Sequence, residues 1–131
     1  MTVQVAGSLP AANWYEGVVL VDGGATQLAI PYGYLIGNNT AFNAFPLTGD
    51  GFTAIAGGQV NRLNVKFVDR FGVPVSGVPV RFRAESGGGK IDTALEKTDS
   101  LGIADALVFA GPAAGEQQKH RASVACSSIL S

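Results

Sequence analysis

Apolar and polar side chains alternate along much of this chain with a period of two. Residues 14–21 read WYEGVVLV and residues 26–34 read TQLAIPYGY, with Asp22-Gly23-Gly24 between them. Two β-rich runs joined by a short Asp/Gly segment predict a hairpin. Pro31 lacks an N–H for a ladder, so it belongs at an edge or near a strand end. Residues 35–58 are rich in Asn, Gly and Thr and read as a linker or a long connection, with Phe42, Phe45 and Phe52 scattered through it.

The rhythm sharpens from Val60 onward. Leu63, Val65 and Phe67 alternate with Arg62, Asn64 and Lys66, as in a strand with one wet face. After a turn at Asp69-Arg70-Phe71-Gly72, Val78, Val80 and Phe82 alternate with Arg81 and Arg83. Ser86-Gly87-Gly88-Gly89 breaks that strand. Further strands are predicted around Ile91–Lys97, Ile103–Phe109 and His120–Cys126, separated by turns at Thr98–Gly102 and Gly111–Gly115. Turn signals at intervals of about 8–12 residues predict an all-β sandwich or barrel. The only short helical candidate is Ile103–Ala110, flanked by glycines, and it reads better as a strand.

An apolar sheet face must be buried against another layer, and two antiparallel sheets packed face to face are the economical solution. Leu63, Val65, Phe67, Val78, Val80, Phe82, Ala104, Ala106, Val108, Ala122 and Val124 form the expected core, with the alanines where the sheets approach closely. The expected organisation is a hairpin plus linker over residues 1–53, followed by a sandwich domain over residues 54–131.

Composition narrows the function classes. Of 131 residues, 47% are apolar and 15% charged, and nine Lys+Arg against ten Asp+Glu leave a net charge of −1. Without a clustered cationic footprint, nucleic acid is not an expected partner. No apolar run reaches the ~20 residues of a membrane-spanning helix, and residues 1–4 do not open like a signal peptide. Cys126 is the only cysteine, which excludes an intrachain disulfide. It reads as a small apolar residue near a strand end rather than a nucleophile or an intermolecular bridge.

The stretch VKFVDRFGVPVSGVPVRFRAESGGG, then KTDSLGIADALV, then GEQQKHRASV resembles a bacterial immunoglobulin-like domain of group 1, the module repeated in invasin- and intimin-type surface proteins. The matching positions include Val68-Asp69, Gly72, Pro74-Val75, Gly77, Val80, Phe82, Thr98-Asp99, Gly102, Ala104, Gly115 and Ala122. The resemblance covers residues 56–126. It implies an immunoglobulin-like Greek-key β-sandwich, here preceded by an extra β-hairpin, and it carries no catalytic residue across. Tyr15-Glu16-Gly17 with VVLV, then Leu28-Ala29-Ile30-Pro31-Tyr32, resembles the last two strands of the fibronectin-type-III-like domain that follows the catalytic domain of some large secreted subtilisin-like proteases. That second resemblance implies a piece of a longer secreted or cell-surface bacterial protein, with the protease domain absent here.

Physical reading of the same positions agrees. Gly72, Gly77 and Gly102 suit turns that a Cβ would oppose. Asp69 and Asp99 suit Asx-type turns better than calcium, which needs six to eight clustered oxygens. The sole histidine, His120, stands without a nucleophile elbow or further metal ligands, and is expected on a strand surface. Gly87-Gly88-Gly89-Lys90 has Ala84 and Ile91 where a phosphate loop requires glycine and a hydroxyl. Glu16, Glu85, Asp92, Glu96 and Asp99 supply acids but no distinctive pairing. Asn38-Asn39-Thr40 fits a glycosylation acceptor and reads as a loop.

No catalytic, metal or cofactor residue is therefore expected. The candidate binding surface is Trp14, Tyr15, Tyr32 and Tyr34, whose aromatic rings suit either sugar stacking or cross-strand packing. The expected function is a non-catalytic structural or spacer module of a secreted or cell-surface protein, such as the accessory region of a subtilisin-like protease. The alternative is an adhesion module for carbohydrate or protein. Expected partners are neighbouring domains of the same chain, a surface protein or glycan, and a second copy through the 14–34 hairpin. An isolated hairpin is marginal in water, so it should dock on the sandwich or pair with its copy.

Overall fold

The computed structural model describes residues 4, 6–49, 51, 53–58, 60–115 and 119–124. Among the described residues eight strands follow one another: β1 (Asn13–Asp22), β2 (Gln27–Ile36), β3 (Asn43–Thr48), β4 (Val60–Val68), β5 (Val80–Ser86), β6 (Lys90–Ala94), β7 (Ile103–Phe109) and β8 (Lys119–Val124). All named pairings are antiparallel, and no helix occurs among the described residues. The strands form a hairpin β1-β2, a sheet of order β3-β4-β7-β6 and a two-stranded sheet β5-β8. The all-β expectation holds. Ile103–Phe109 is a strand, as its alternation requires.

Hairpin closure is local. Asp22 Oδ1 accepts the Gly24 N–H at 3.0 Å, and the Gly23 N–H donates to the Thr26 carbonyl at 2.9 Å. Ten facing pairs follow, from Asp22–Gln27 to Asn13–Ile36.

The sandwich-like core forms where the two sheets meet. Phe67, Val75, Val78, Val80 and Ala104 make a buried cluster, with Ala41, Val65, Phe82 and Ala122 packed around it. Register explains the residue sizes. Leu63 and Val65 of β4 face Ala106 and Ala104 of β7, and those alanines are fully buried because bulk on β4 leaves room for only a methyl group beside it.

Two turns in this unit share one design. In Asp69–Val73 and again in Asp99–Ile103, the aspartate Oδ1 accepts N–H groups from the second and fourth residues after it, at 2.8–2.9 Å. The aspartate N–H donates to the fourth residue's carbonyl, and the glycine N–H donates to the aspartate carbonyl. Gly72 and Gly102 close the loops at φ of 84° and 73°. Each loop is thus a D-x-x-G-x clip in which a carboxylate replaces missing ladder partners.

Two features depart from the expectations. Residues 35–58 are not all connection, since Asn43–Thr48 pairs with β4 as the edge of the larger sheet. The mixed segment NAFPLT hid this strand because an edge strand carrying Pro46 has no clean alternation. Val124 was expected inside but is 47% exposed, while Val68 and Val75 join the buried set. The final strand ends at Val124 within the described residues, so Cys126 lies outside them.

The twin loops give a paired stability test. A Cβ on Gly72 meets nothing, whereas one on Gly102 falls 2.5 Å from the Phe67 carbonyl oxygen and 3.0 Å from the Val75 nitrogen. Gly72→Ala should cost only the left-handed backbone penalty, about 1–2 kcal/mol. Gly102→Ala should add a steric term of about 1–3 kcal/mol. Urea denaturation of both variants measures the gap; equal losses would show that the clash is relieved elsewhere.

Candidate functional site

The hairpin divides the four candidate aromatics between its faces. Directly opposed residues share a face, so Tyr15 with Tyr34 and Gly17 with Tyr32 line one side, while Trp14 with Leu35 lines the other. Tyr15 and Tyr34 stack with centroids 5.2 Å apart and planes at 18°, and Tyr32 stacks on Tyr34 at 6.4 Å and 8°. Tyr32 also lies over Gly17, where a Cβ would fall 2.5 Å from its hydroxyl oxygen. The Tyr15 hydroxyl donates to the Ala11 carbonyl at 2.8 Å. Across the hairpin, Trp14 covers Gly33 and points its indole Nε1 toward Glu16 at 3.4 Å.

The structure therefore gathers three tyrosines in a row and sets the tryptophan apart. Tyr34 stacks on both of the other rings, so the row offers less open π-surface than three separate rings would. Both hairpin faces remain apolar and open to solvent. Val21, Leu28, Ile30 and Tyr32 are exposed on the tyrosine side, and Val18, Leu20 and Leu35 on the tryptophan side. Neither strand packs as a layer on the other strands.

What fastens the hairpin is a contact that no sequence motif announces. The Asn38 N–H, just past β2, donates to Asp69 Oδ2 at 2.7 Å across 31 positions of sequence. Asp69 is 2% exposed, and its other oxygen closes the D-x-x-G-x clip. Gly37 makes the approach possible, since a Cβ there would fall 2.7 Å from Oδ2 and 2.9 Å from Val73 Cγ1. Asp99, the equivalent residue in the second clip, is exposed and holds only its own loop. The joint thus rests on one carboxylate with both oxygens occupied.

Burial alone would push the Asp69 carboxyl up, but N–H donors from Val73, Asn38, Phe71 and Gly72 outweigh it and hold the group below the usual aspartate range. Both aspartates expected in turns do serve turns, each carboxylate accepting backbone N–H groups of its own loop.

The remaining candidate acids are dispersed. Glu85 pairs with Arg121 at 2.8 Å on the β5–β8 surface. Asp92 and Glu96 border a depression of about 390 Å³ beside Arg81 and Lys97. Among the described residues, no three His, Cys, Asp or Glu side chains gather as a metal site requires. His120 stands in β8, with its side chain outside the described set. Comparison with family models, with curated proteins and with solved structures yields no match.

A folded-state carboxyl held below its unfolded value stabilises the fold above the unfolded pKa of about 3.9, and the contribution fades as pH falls through the folded value. Stability should therefore decline below about pH 4. Asp69→Ala takes the acceptor from three part-buried backbone N–H groups and should lose about 3–5 kcal/mol at pH 7. It should also flatten the acid limb. Urea midpoints measured from pH 7 to pH 3 check both; an unchanged acid limb in the variant would assign the pH dependence to other carboxylates.

Proposed function

We propose that this chain is a non-catalytic, immunoglobulin-like spacer module of a secreted or cell-surface bacterial protein, such as the accessory region of a subtilisin-like protease. The observation that carries this reading is the hydrogen-bonded joint at Asp69. A spacer must hold successive β units in fixed relation, and here the six-residue connection Gly37–Phe42 is tied to a buried carboxylate at its second residue. It is tied again where the Phe42 N–H donates to the Val68 carbonyl at 2.9 Å. Such fastening has little to do with turnover and much to do with transmitting orientation.

Sheet order adds support. An immunoglobulin constant-type sandwich orders its sheets A-B-E-D and C-F-G. The orders β3-β4-β7-β6 and β5-β8 read as A-B-E-D and C-F in that scheme. The D-x-x-G-x clips coincide with the segments that resemble bacterial immunoglobulin-like domains of group 1, and clips of this kind suit a module built to resist deformation. Because Tyr34 is stacked between two other rings and Trp14 stands on the opposite face, the four aromatics make no single sugar platform, which favours protein contact as the adhesive alternative.

Amide relaxation measured by NMR tests the spacer reading. Residues 14–35 should share the rotational correlation time of β4 and β7 in the wild type and become faster in Asp69→Ala. Independent tumbling of the hairpin in the wild type would overturn it. In parallel, a glycan panel should show no saturable binding; saturable binding abolished by Trp14→Ala would establish the carbohydrate alternative instead.

A further inference from the structure

The connection Gly37–Phe42 carries a side-chain group that the joint at Asp69 does not use. Asn38 is followed two residues on by Thr40, and no other asparagine in the chain has Ser or Thr at that spacing. An N-x-S/T triplet is the acceptor signature for a sugar attached through nitrogen, provided that it lies on the surface.

Local structure meets that condition. The Asn38 main-chain N–H is fixed on Asp69 Oδ2 and the Phe42 N–H on the Val68 carbonyl, so the connection is held at both ends. Between these ties, Asn38, Asn39 and Thr40 are all exposed. Asn39 takes a φ of 55°, a left-handed conformation that asparagine adopts more readily than most residues. Thr40 folds back onto Asn38: its N–H donates to Asn38 Oδ1 at 3.0 Å and its Oγ1 donates to the Asn38 carbonyl at 3.4 Å.

This Asx turn acts on the side-chain amide in two ways. It occupies Oδ1 and leaves Nδ2 without a hydrogen bond among the described residues. It also draws electron density toward Oδ1, which makes the Nδ2 protons easier to lose. Asn13 and Asn43 differ on both counts. Each uses Oδ1 on the N–H of the next residue, and neither has a hydroxyl two residues on.

We propose that Asn38 is an N-glycosylation site whose donor is a sugar carried on a diphosphate. Nδ2 attacks the anomeric carbon C1, and the C1–O bond to the diphosphate breaks as the N–C1 bond forms. The amide gives up one proton, the diphosphate departs with the bonding pair, and nothing is oxidised or reduced. Nucleotide sugars and polyprenyl-diphosphate sugars share this chemistry. The joint is left intact, because it uses the Asn38 main-chain N–H while the sugar takes Nδ2. The inference goes beyond the spacer reading and stands without it.

Two transfer reactions on the folded full chain test it. One supplies uridine-diphosphate glucose with a soluble asparagine glycosyltransferase. The other supplies a polyprenyl-diphosphate oligosaccharide with an oligosaccharyltransferase that reads N-x-S/T. Intact mass should rise by one sugar unit in at least one reaction, which identifies the carrier, and peptide mapping should place the sugar on Asn38. Asn38→Gln and Thr40→Val should abolish the gain, whereas Thr40→Ser should keep it. All three changes fall at exposed positions and retain the main-chain N–H that Asp69 holds. No gain in either reaction, a sugar mapped to another residue, or a gain that survives Asn38→Gln or Thr40→Val would each overturn the proposal. Should a variant fail to fold, the residue mapped in the wild type decides alone.

Discussion

A carboxylate removed from water is stable only if donors replace its hydration, and this molecule meets that constraint at Asp69 with backbone N–H groups drawn from two distant segments. Oδ1 holds the turn that leads out of β4, and Oδ2 holds the connection from the hairpin. Because both tasks fall to one buried group, the turn and the joint are energetically coupled. Gly37 belongs to the same device: its missing Cβ admits the oxygen. Remove the charge, and the connection at Asn38 and the loop at Val73 loosen together.

The second clip shows what the first adds. Asp99 repeats the local hydrogen bonds of Asp69 almost bond for bond, yet it stands exposed and reaches no distant segment. Nearby, Thr98 Oγ1 donates to the Val75 carbonyl at 2.6 Å and accepts the Val78 N–H at 2.9 Å, stitching this region to the chain between β4 and β5. The loops around the core are therefore held by a few polar side chains acting on main-chain groups. Surface ion pairs add little: Arg62–Asp105 spans 3.7 Å with an exposed arginine, and such pairs contribute at most about 1 kcal/mol.

Apolar surface is distributed unevenly, and the unevenness bears on function. Ala104, Ala106 and Val108 are almost wholly buried at the centre of the larger sheet, while a hairpin apolar on both faces stands uncovered. Exposed patches of that kind on a folded chain mark contact surfaces. Three tyrosine rings stack in a row on one face of the hairpin.

Alternation alone revealed the hairpin, β4, β5 and β7, because the two-residue repeat of a strand is a local property that side-chain polarity records directly. The turn roles of Asp69, Asp99, Gly72 and Gly102 were legible for the same reason, since an Asx turn is closed by neighbours in sequence. Strand β3 was not, because its pairing with β4 comes from across a gap and its residues obey no rhythm of their own. Nor was the exposure of Val124, which depends on how far the facing sheet extends. The split of Trp14 from the tyrosines follows from register, and the union of Asn38 with Asp69 from a contact across 31 positions. Local chemistry wrote the elements; only the packed fold decided which of them share a face, an edge or a carboxylate, because those relations are set by atoms that the chain order does not bring together.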